Sequence, residues 1–288
     1  MATNDRTPQR AGALRPDMAT LAGLLLAAAG ILGGLVLEGG KVTDITQITA
    51  LMIVLGGTIG AVMVTTPLSV LIRAAKKLGA VFFERTHNPG QVIDEIISYA
   101  SKARKDSIIS LENELDKIHD PFMQKALTLA IDGTDLREIR KMMELDIVLT
   151  EKSSESCAKV YECAGGYAPT IGIIGAVLGL IQVMKHLENI EEVGRGIAVA
   201  FVATVYGVAS ANLFFLPVAN KIKIRAQQTS EMKELMLEGI CSIAEGLNPK
   251  LIRQKLESFV NADTQRAAQT AKAVPAKKPA TEAAAARG

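Results

Sequence analysis

Gly165-Gly-Tyr-Ala-Pro-Thr-Ile-Gly-Ile-Ile-Gly-Ala-Val-Leu-Gly-Leu-Ile-Gln-Val-Met184 runs for twenty residues without a charged side chain. A helix of about 20 apolar residues crosses a hydrocarbon layer roughly 30 Å thick, so this stretch predicts a membrane span. Beyond a short mixed connector, Lys185–Arg195, lies a second such stretch, Gly196–Val218. Two more occur near the start, Met18–Leu37 and Thr46–Thr66, separated by Glu38–Ile45. None of the four contains a carboxylate. Ion-moving proteins place ionisable groups at membrane depth, so an ion path here needs a titrating group from another chain.

The charged residues are segregated from the apolar runs, as in a membrane protein with a large water-facing part. With 32 Lys and Arg against 30 Asp and Glu, the net charge of +2 gives no basic face for nucleic acid. The chain has no Trp, so anchoring at the membrane surface falls to Lys and Arg. Arg6, Arg10 and Arg15 before the first stretch mimic a signal peptide. The absence of a small-residue cleavage site and the second span close behind predict a retained helix. Cys157, Cys163 and Cys241, with His87, His119 and His186, have no zinc-site spacing and read as free thiols and ordinary histidines. No metal or cofactor is expected. No nucleotide-binding loop or nucleophile–base arrangement stands out, so the chain does not read as an enzyme.

Arg73, Lys76 and Lys77 follow the second span, and Lys221, Lys223 and Arg225 follow the fourth. The positive-inside rule therefore places both termini and the block 67–164 in the cytoplasm. That block reads as helical. Val92, Ile93, Ile96, Ile97 and Ala100 form one apolar face within Gln91–Asp106. Pro121 suits a first helical position, and Asp135 with Glu138 resembles a capping box. Nothing breaks the pattern from there to Cys163, which predicts a stalk entering the third span. The fourth span continues through Ile240 towards Gly246-Leu-Asn-Pro249, making 219–261 a cytoplasmic helical segment. Residues 1–17 read as a cytoplasmic lead-in, and 262–288, rich in Ala, Lys and Pro, as a disordered tail. The predicted fold is an all-α polytopic membrane protein. Its four transmembrane helices (18–37, 46–66, 165–187, 196–218) form a two-plus-two layout around a large helical cytoplasmic domain.

Gly30 with Gly34, Gly56 with Gly60 and Gly175 with Gly179 are small-xxx-small pairs that let helices approach closely. Thr170, Gln182, Thr204, Tyr206, Ser210 and Asn212 make the last two spans more polar than the first two. Ser and Thr can bond to their own helix, whereas Tyr206 and Asn212 need partners, which predicts that this hairpin faces protein or water and the Met18–Thr66 hairpin faces lipid. Pro169 and Pro217 read as bend points, or more simply as a helix start and a static kink.

Tyr167–Leu180, Gly196–Gly207 and Asn212-Leu-Phe-Phe-Leu-Pro-Val-Ala-Asn-Lys221 resemble the flagellar stator subunits of the MotA family, within the wider group that includes TolQ and ExbB. The likeness extends over about residues 18–260. It implies a homo-pentamer around a dimer of MotB-type subunits, each supplying one membrane aspartate, in the bacterial inner membrane. Protons passing that aspartate would turn the ring against the rotor protein FliG. Pro169 and Pro217 match the family's coupling prolines, and Arg104 and Glu112 its rotor-contacting charges. Read alone, Arg104 and Glu112 are ordinary surface charges, worth little as a pair. Sodium-driven relatives carry threonines in both inner spans. Here Ala176 stands at the third-span position while Thr204 keeps its hydroxyl, which favours H+ over Na+. Tyr206 lies beside them on the implied ion pathway. Two other readings stand: a TolQ- or ExbB-like motor serving the cell envelope, whose relatives have three spans, and a passive membrane scaffold.

Overall fold

The computed structural model describes residues 15–84 and 88–260, and the expectations for residues 1–14, His87 and the tail lie outside these. The described residues are nearly all helical, with four helices long and apolar enough to cross a membrane. They form two compact units, one drawn from residues 1–87 and 145–231, the other from 88–144 and 232–288. The predicted cytoplasmic block 67–164 is thus shared between the units.

The first unit holds the spans. The first, Met18–Leu37, starts at Asp17, whose carboxylate accepts the Thr20 N–H. It stops at Gly39, which at φ +85 takes the left-handed conformation that lets Gly40 N–H bond back to Leu35. None of its side chains is buried within the chain. The second span, Ile48–Thr65, contains one wide π turn at Met52–Gly56. It buries Ala50, Val54, Thr58 and Val62, four residues apart.

The first hairpin therefore does not simply face lipid. Ile53 and Gly57 pack on Gly175 and Ile171 of the third span, so the second helix leans one face on the inner hairpin and only the first is left uncovered. The reason is composition: Gly57 and Ala50 leave the second helix a flat side.

After Pro67 the chain turns into an amphipathic helix, Leu68–Phe82. Its inner face (Val70, Leu71, Ala74, Leu78, Val81) joins Cys157, Tyr161, Val218 and Ile222 in one core. The Tyr161 hydroxyl donates to the Ala74 carbonyl (3.0 Å), and Lys77 donates to Ser154 Oγ (2.5 Å). Burial lowers the Lys77 ammonium's affinity for its proton. Just beyond, Phe83–Glu84 pairs antiparallel with Arg15–Pro16.

The third span belongs to one unbroken helix, Leu136–Lys185, with Pro169 inside it. Asp135 starts it by accepting the Arg137 N–H (2.9 Å). The fourth starts at Asn189, which caps Glu191 and Glu192, so the connector shortens from eleven residues to the turn His186–Asn189. Helical structure then runs from Ile190 to Ala244 through a π turn at Ser210–Phe215. It ends at Gly246, φ +72, where Leu247 N–H bonds back to Ser242.

In the second unit, Pro89–Asp106 and Pro121–Ile131 both begin with proline behind a side-chain cap, Asn88 and Asp120. The first of them buries Val92, Ile93, Ile96 and Ala100 as predicted, but Tyr99 takes the inward place expected of Ile97. Burial and a hydrogen bond to Glu95 (2.7 Å) push the Tyr99 phenol well above its ordinary pKa. Glu238 is gripped by Arg140 (3.0 Å) and Lys255. Burial alone would raise its pKa, yet these two hydrogen-bonded cations outweigh that and hold it below the usual carboxylate range.

Candidate functional site: the inner hairpin and a charged edge

The third and fourth spans meet backbone to backbone. A Cβ placed on Gly172 would lie 2.9 Å from the Ala203 carbonyl oxygen, and one on Gly179 would lie 2.8 Å from that of Gly196. On Gly207 it would lie 2.6 Å from the carbonyl oxygen of Ala168. Real Cβ atoms do not come this close, so these positions admit only glycine without movement. The seam runs through Gly172, Gly175 and Gly179 on one side and Gly196, Ala200, Ala203 and Gly207 on the other. Small residues are what allow such approach between membrane helices. Sequence reasoning caught Gly175 and Gly179 but missed Gly172, Gly196 and Gly207. Their signal was the three-residue, then four-residue spacing 172–175–179, the inner stripe of a helix.

Pro169 sits on this seam, its Cα 3.2 Å from where a Gly207 Cβ would be. Having no N–H, it deprives the Gly165 carbonyl of its regular helical donor. Gly165 in turn packs against Leu216, the residue preceding Pro217. Pro169 thus lies level with Gly207, and the helical turn before it, at Gly165, meets the fourth span just ahead of Pro217. Pro217 follows the π turn by two residues. A proline ring collides with the carbonyl four residues back, here Leu213, and the wide turn relieves that collision without ending the helix.

The polar groups divide. Thr204 is half-buried and donates to the Ala200 carbonyl of its own helix (3.1 Å). Thr170, Ser210 and Asn212 likewise bond within their helices. Tyr206 alone reaches out: its hydroxyl donates to the Ile45 carbonyl (2.5 Å) and accepts the Gln47 N–H (3.2 Å). Gln47 is the residue from which the second span starts, so Tyr206 fixes that start against the fourth span. Ala176 is half-buried beside Gly175 and presents only a methyl group.

The charged edge belongs to the second unit. Arg104 lies in the last turn of Pro89–Asp106 and Glu112 in the 3-10 helix Ile108–Lys117. Between them Ser107 takes φ +76, a left-handed conformation unusual for a side-chain-bearing residue. Both charges are exposed, and neither forms an ion pair among the described residues. Their neighbours do: Glu114 is held by Lys102 (2.6 Å) and Lys117 (3.3 Å), chiefly Lys102, which keeps its carboxylate below the usual range. The structure separates a paired trio, two cations on one carboxylate, from two charges on the same edge that have no ion pair among the described residues.

A family model described as "MotA/TolQ/ExbB proton channel family" matches residues 114–235, and one described as "Motility protein A N-terminal" matches residues 21–106. Motility protein A of Bacillus subtilis is 33% identical over 250 residues, covering 85% of this chain and 92% of the relative. The chain belongs to the motility protein A family. Motility protein A of Helicobacter pylori is 34% identical over 85% of this chain and 95% of its own. The solved flagellar MotAB stator complex from B. subtilis superposes with a TM-score of 0.80 at 32% identity, covering 86% of this chain and 98% of that one. As a motility protein A, the chain is a membrane-embedded flagellar stator subunit of a proton channel family and not an enzyme. The N-terminal match takes in most of the first span and all of the second.

Proposed function

We propose that five copies of this chain enclose a dimer of MotB-type subunits in the bacterial inner membrane, with both termini cytoplasmic. Protons crossing on the partner's aspartate drive the ring against FliG. The observation that carries this reading is the inner hairpin: two spans sealed by glycine contacts, with no Asp, Glu, His, Lys or Arg in Gly165–Met184 or Gly196–Val218. Such a wall guides a proton but cannot bind one, so the acid comes from the partner. Assembly of the B. subtilis relative as a MotAB complex supports the same division.

Proton choice rests on oxygen supply. A sodium ion shedding water needs several oxygen ligands. Ala176 offers none, which leaves the Thr204 hydroxyl as the one side-chain oxygen of the pair. Arg104 and Glu112 are the rotor contacts of this reading, where complementary charge sets register more than affinity. The test is proton uptake in cells carrying this chain, its partner or both. Uptake should require both and vanish when the partner's aspartate becomes asparagine. Absence of uptake in every combination would refute the channel, and swimming that tracks sodium and ignores a protonophore would refute the ion.

A further inference from the structure

Between the first span and the fourth lies an apolar groove of about 330 Å³, closed at one end by Phe82 of the amphipathic helix. Its walls are residues such as Ala19, Gly23 and Leu24 facing Leu213, Pro217 and Val218. That volume lies at the lower bound of ligand pockets, about 300 Å³. At its mouth stands Lys221, bonded to Asp17 (2.5 Å), with Arg225 bonded to the same carboxylate (2.8 Å). Two cations share one anion, so among the described side chains the mouth carries one unmatched positive charge. Asp17 takes one of the three donors on Lys221.

We propose that this groove is a binding site for an anionic glycerophospholipid of the cytoplasmic leaflet, one acyl chain lying along the groove and the phosphate against Lys221 and Arg225. The assignment to that leaflet rests on the orientation proposed above. Three features select this occupant. The groove opens along a span that buries none of its own side chains, so it is reached from the bilayer plane. Its cations stand where the fourth span leaves the apolar layer, the depth of phosphate groups. The unmatched charge favours a headgroup with no cation of its own, such as phosphatidylglycerol, over a zwitterion.

The chain has no Trp, so Phe82→Trp installs a single fluorophore in the groove. The full chain with its partner subunit would be placed in nanodiscs containing brominated phosphatidylglycerol or brominated phosphatidylcholine at equal mole fraction. One basic residue at a membrane surface contributes about 1 kcal/mol, so brominated phosphatidylglycerol should quench with about five-fold higher apparent affinity. Lys221→Gln should remove that preference. Equal quenching by the two lipids, or a preference that survives Lys221→Gln, overturns the proposal. Emission untouched by either lipid means that protein covers the groove, which also overturns it. Native mass spectrometry of the unaltered complex is the second measurement. It should show phosphatidylglycerol retained over phosphatidylethanolamine, and lost in Gly23→Phe, whose ring would fill the open space at that position. Retention without headgroup preference would refute the idea, whatever the tryptophan variant does.

Discussion

Gly207→Ala adds one methyl group at the tightest point of the inner hairpin. The new carbon would sit 2.6 Å from the Ala168 oxygen, 3.1 Å from the Gly172 Cα and 3.2 Å from the Pro169 Cα. All three are backbone atoms, so no side chain can rotate away. An ordinary contact begins near 3.4 Å, and the two spans must therefore part locally by about 0.8 Å. Parting there also loosens the Gly172–Ala203 and Gly179–Gly196 contacts on the same seam. Overpacking costs roughly 1–3 kcal/mol. Against it stands alanine's helix preference over glycine, about 1 kcal/mol. The expected net loss is up to about 2 kcal/mol, or up to roughly 8 °C in unfolding temperature on the usual scale for chains of this size. A thiol-reactive dye reads the transition, because Cys157 and Cys241 are buried until the protein opens. Gly30→Ala is the matched control, since nothing lies within 4 Å of a Cβ at that position. It should leave the transition unchanged or raise it. If Gly207→Ala melts at or above the native temperature while Gly30→Ala melts below it, the packing argument is wrong.

Asp17→Asn keeps a good helix cap but removes the charge that Lys221 and Arg225 share, and hydrogen bonds to charged groups contribute about 1.5–3 kcal/mol. Lys221 is the main reason that the Asp17 carboxylate is held well below its ordinary range. A depressed carboxylate stabilises the fold above its unfolded pKa, near 4, and loses that contribution only as pH falls further. The melting gap between native and Asp17→Asn protein should hold from pH 8 to 5 and narrow below about 4. A gap that closes already by pH 6 would refute this. Tyr206→Phe should lower the melting temperature by roughly 2–4 °C, from about 1 kcal/mol for the lost hydroxyl bonds to Ile45 and Gln47. Its swimming speed measures whether that strut matters for torque. Arg104→Glu and Glu112→Lys should each cut swimming in soft agar several-fold at unchanged membrane abundance, because neither has an ion pair to lose within the described residues. A fall in abundance equal to the fall in swimming would point to a structural role instead.

The spans were legible because apolar length is a coarse property: Met18–Leu37 emerges with the bounds read from composition. The helix end at Gly246 was equally legible, since positive φ there calls for glycine. What stayed hidden depends on pairing. That Tyr206 would reach Ile45, 161 positions away, or that Asp17 would hold Lys221 and Arg225, follows from which helices lie side by side, and no local pattern encodes that. The π turns were hidden for another reason. Neither Met52–Gly56 nor Ser210–Phe215 contains a proline or a charge to announce a change of pitch.

Those two turns bear on how this chain tolerates length changes. A π turn is a regular helix carrying one surplus residue. Removing a single residue from Ser210–Phe215 would restore ordinary pitch and leave the downstream residues in register, whereas removing one from the regular helix just after it would swing everything downstream by about 100° about the helix axis. Pro217, the cations at Lys221 and Arg225, and the helix on to Ala244 would then face new neighbours, although none of their identities had changed. Beyond the π turn the spacing between residues carries as much information as the residues, and a one-codon deletion should do more damage there than inside the turn.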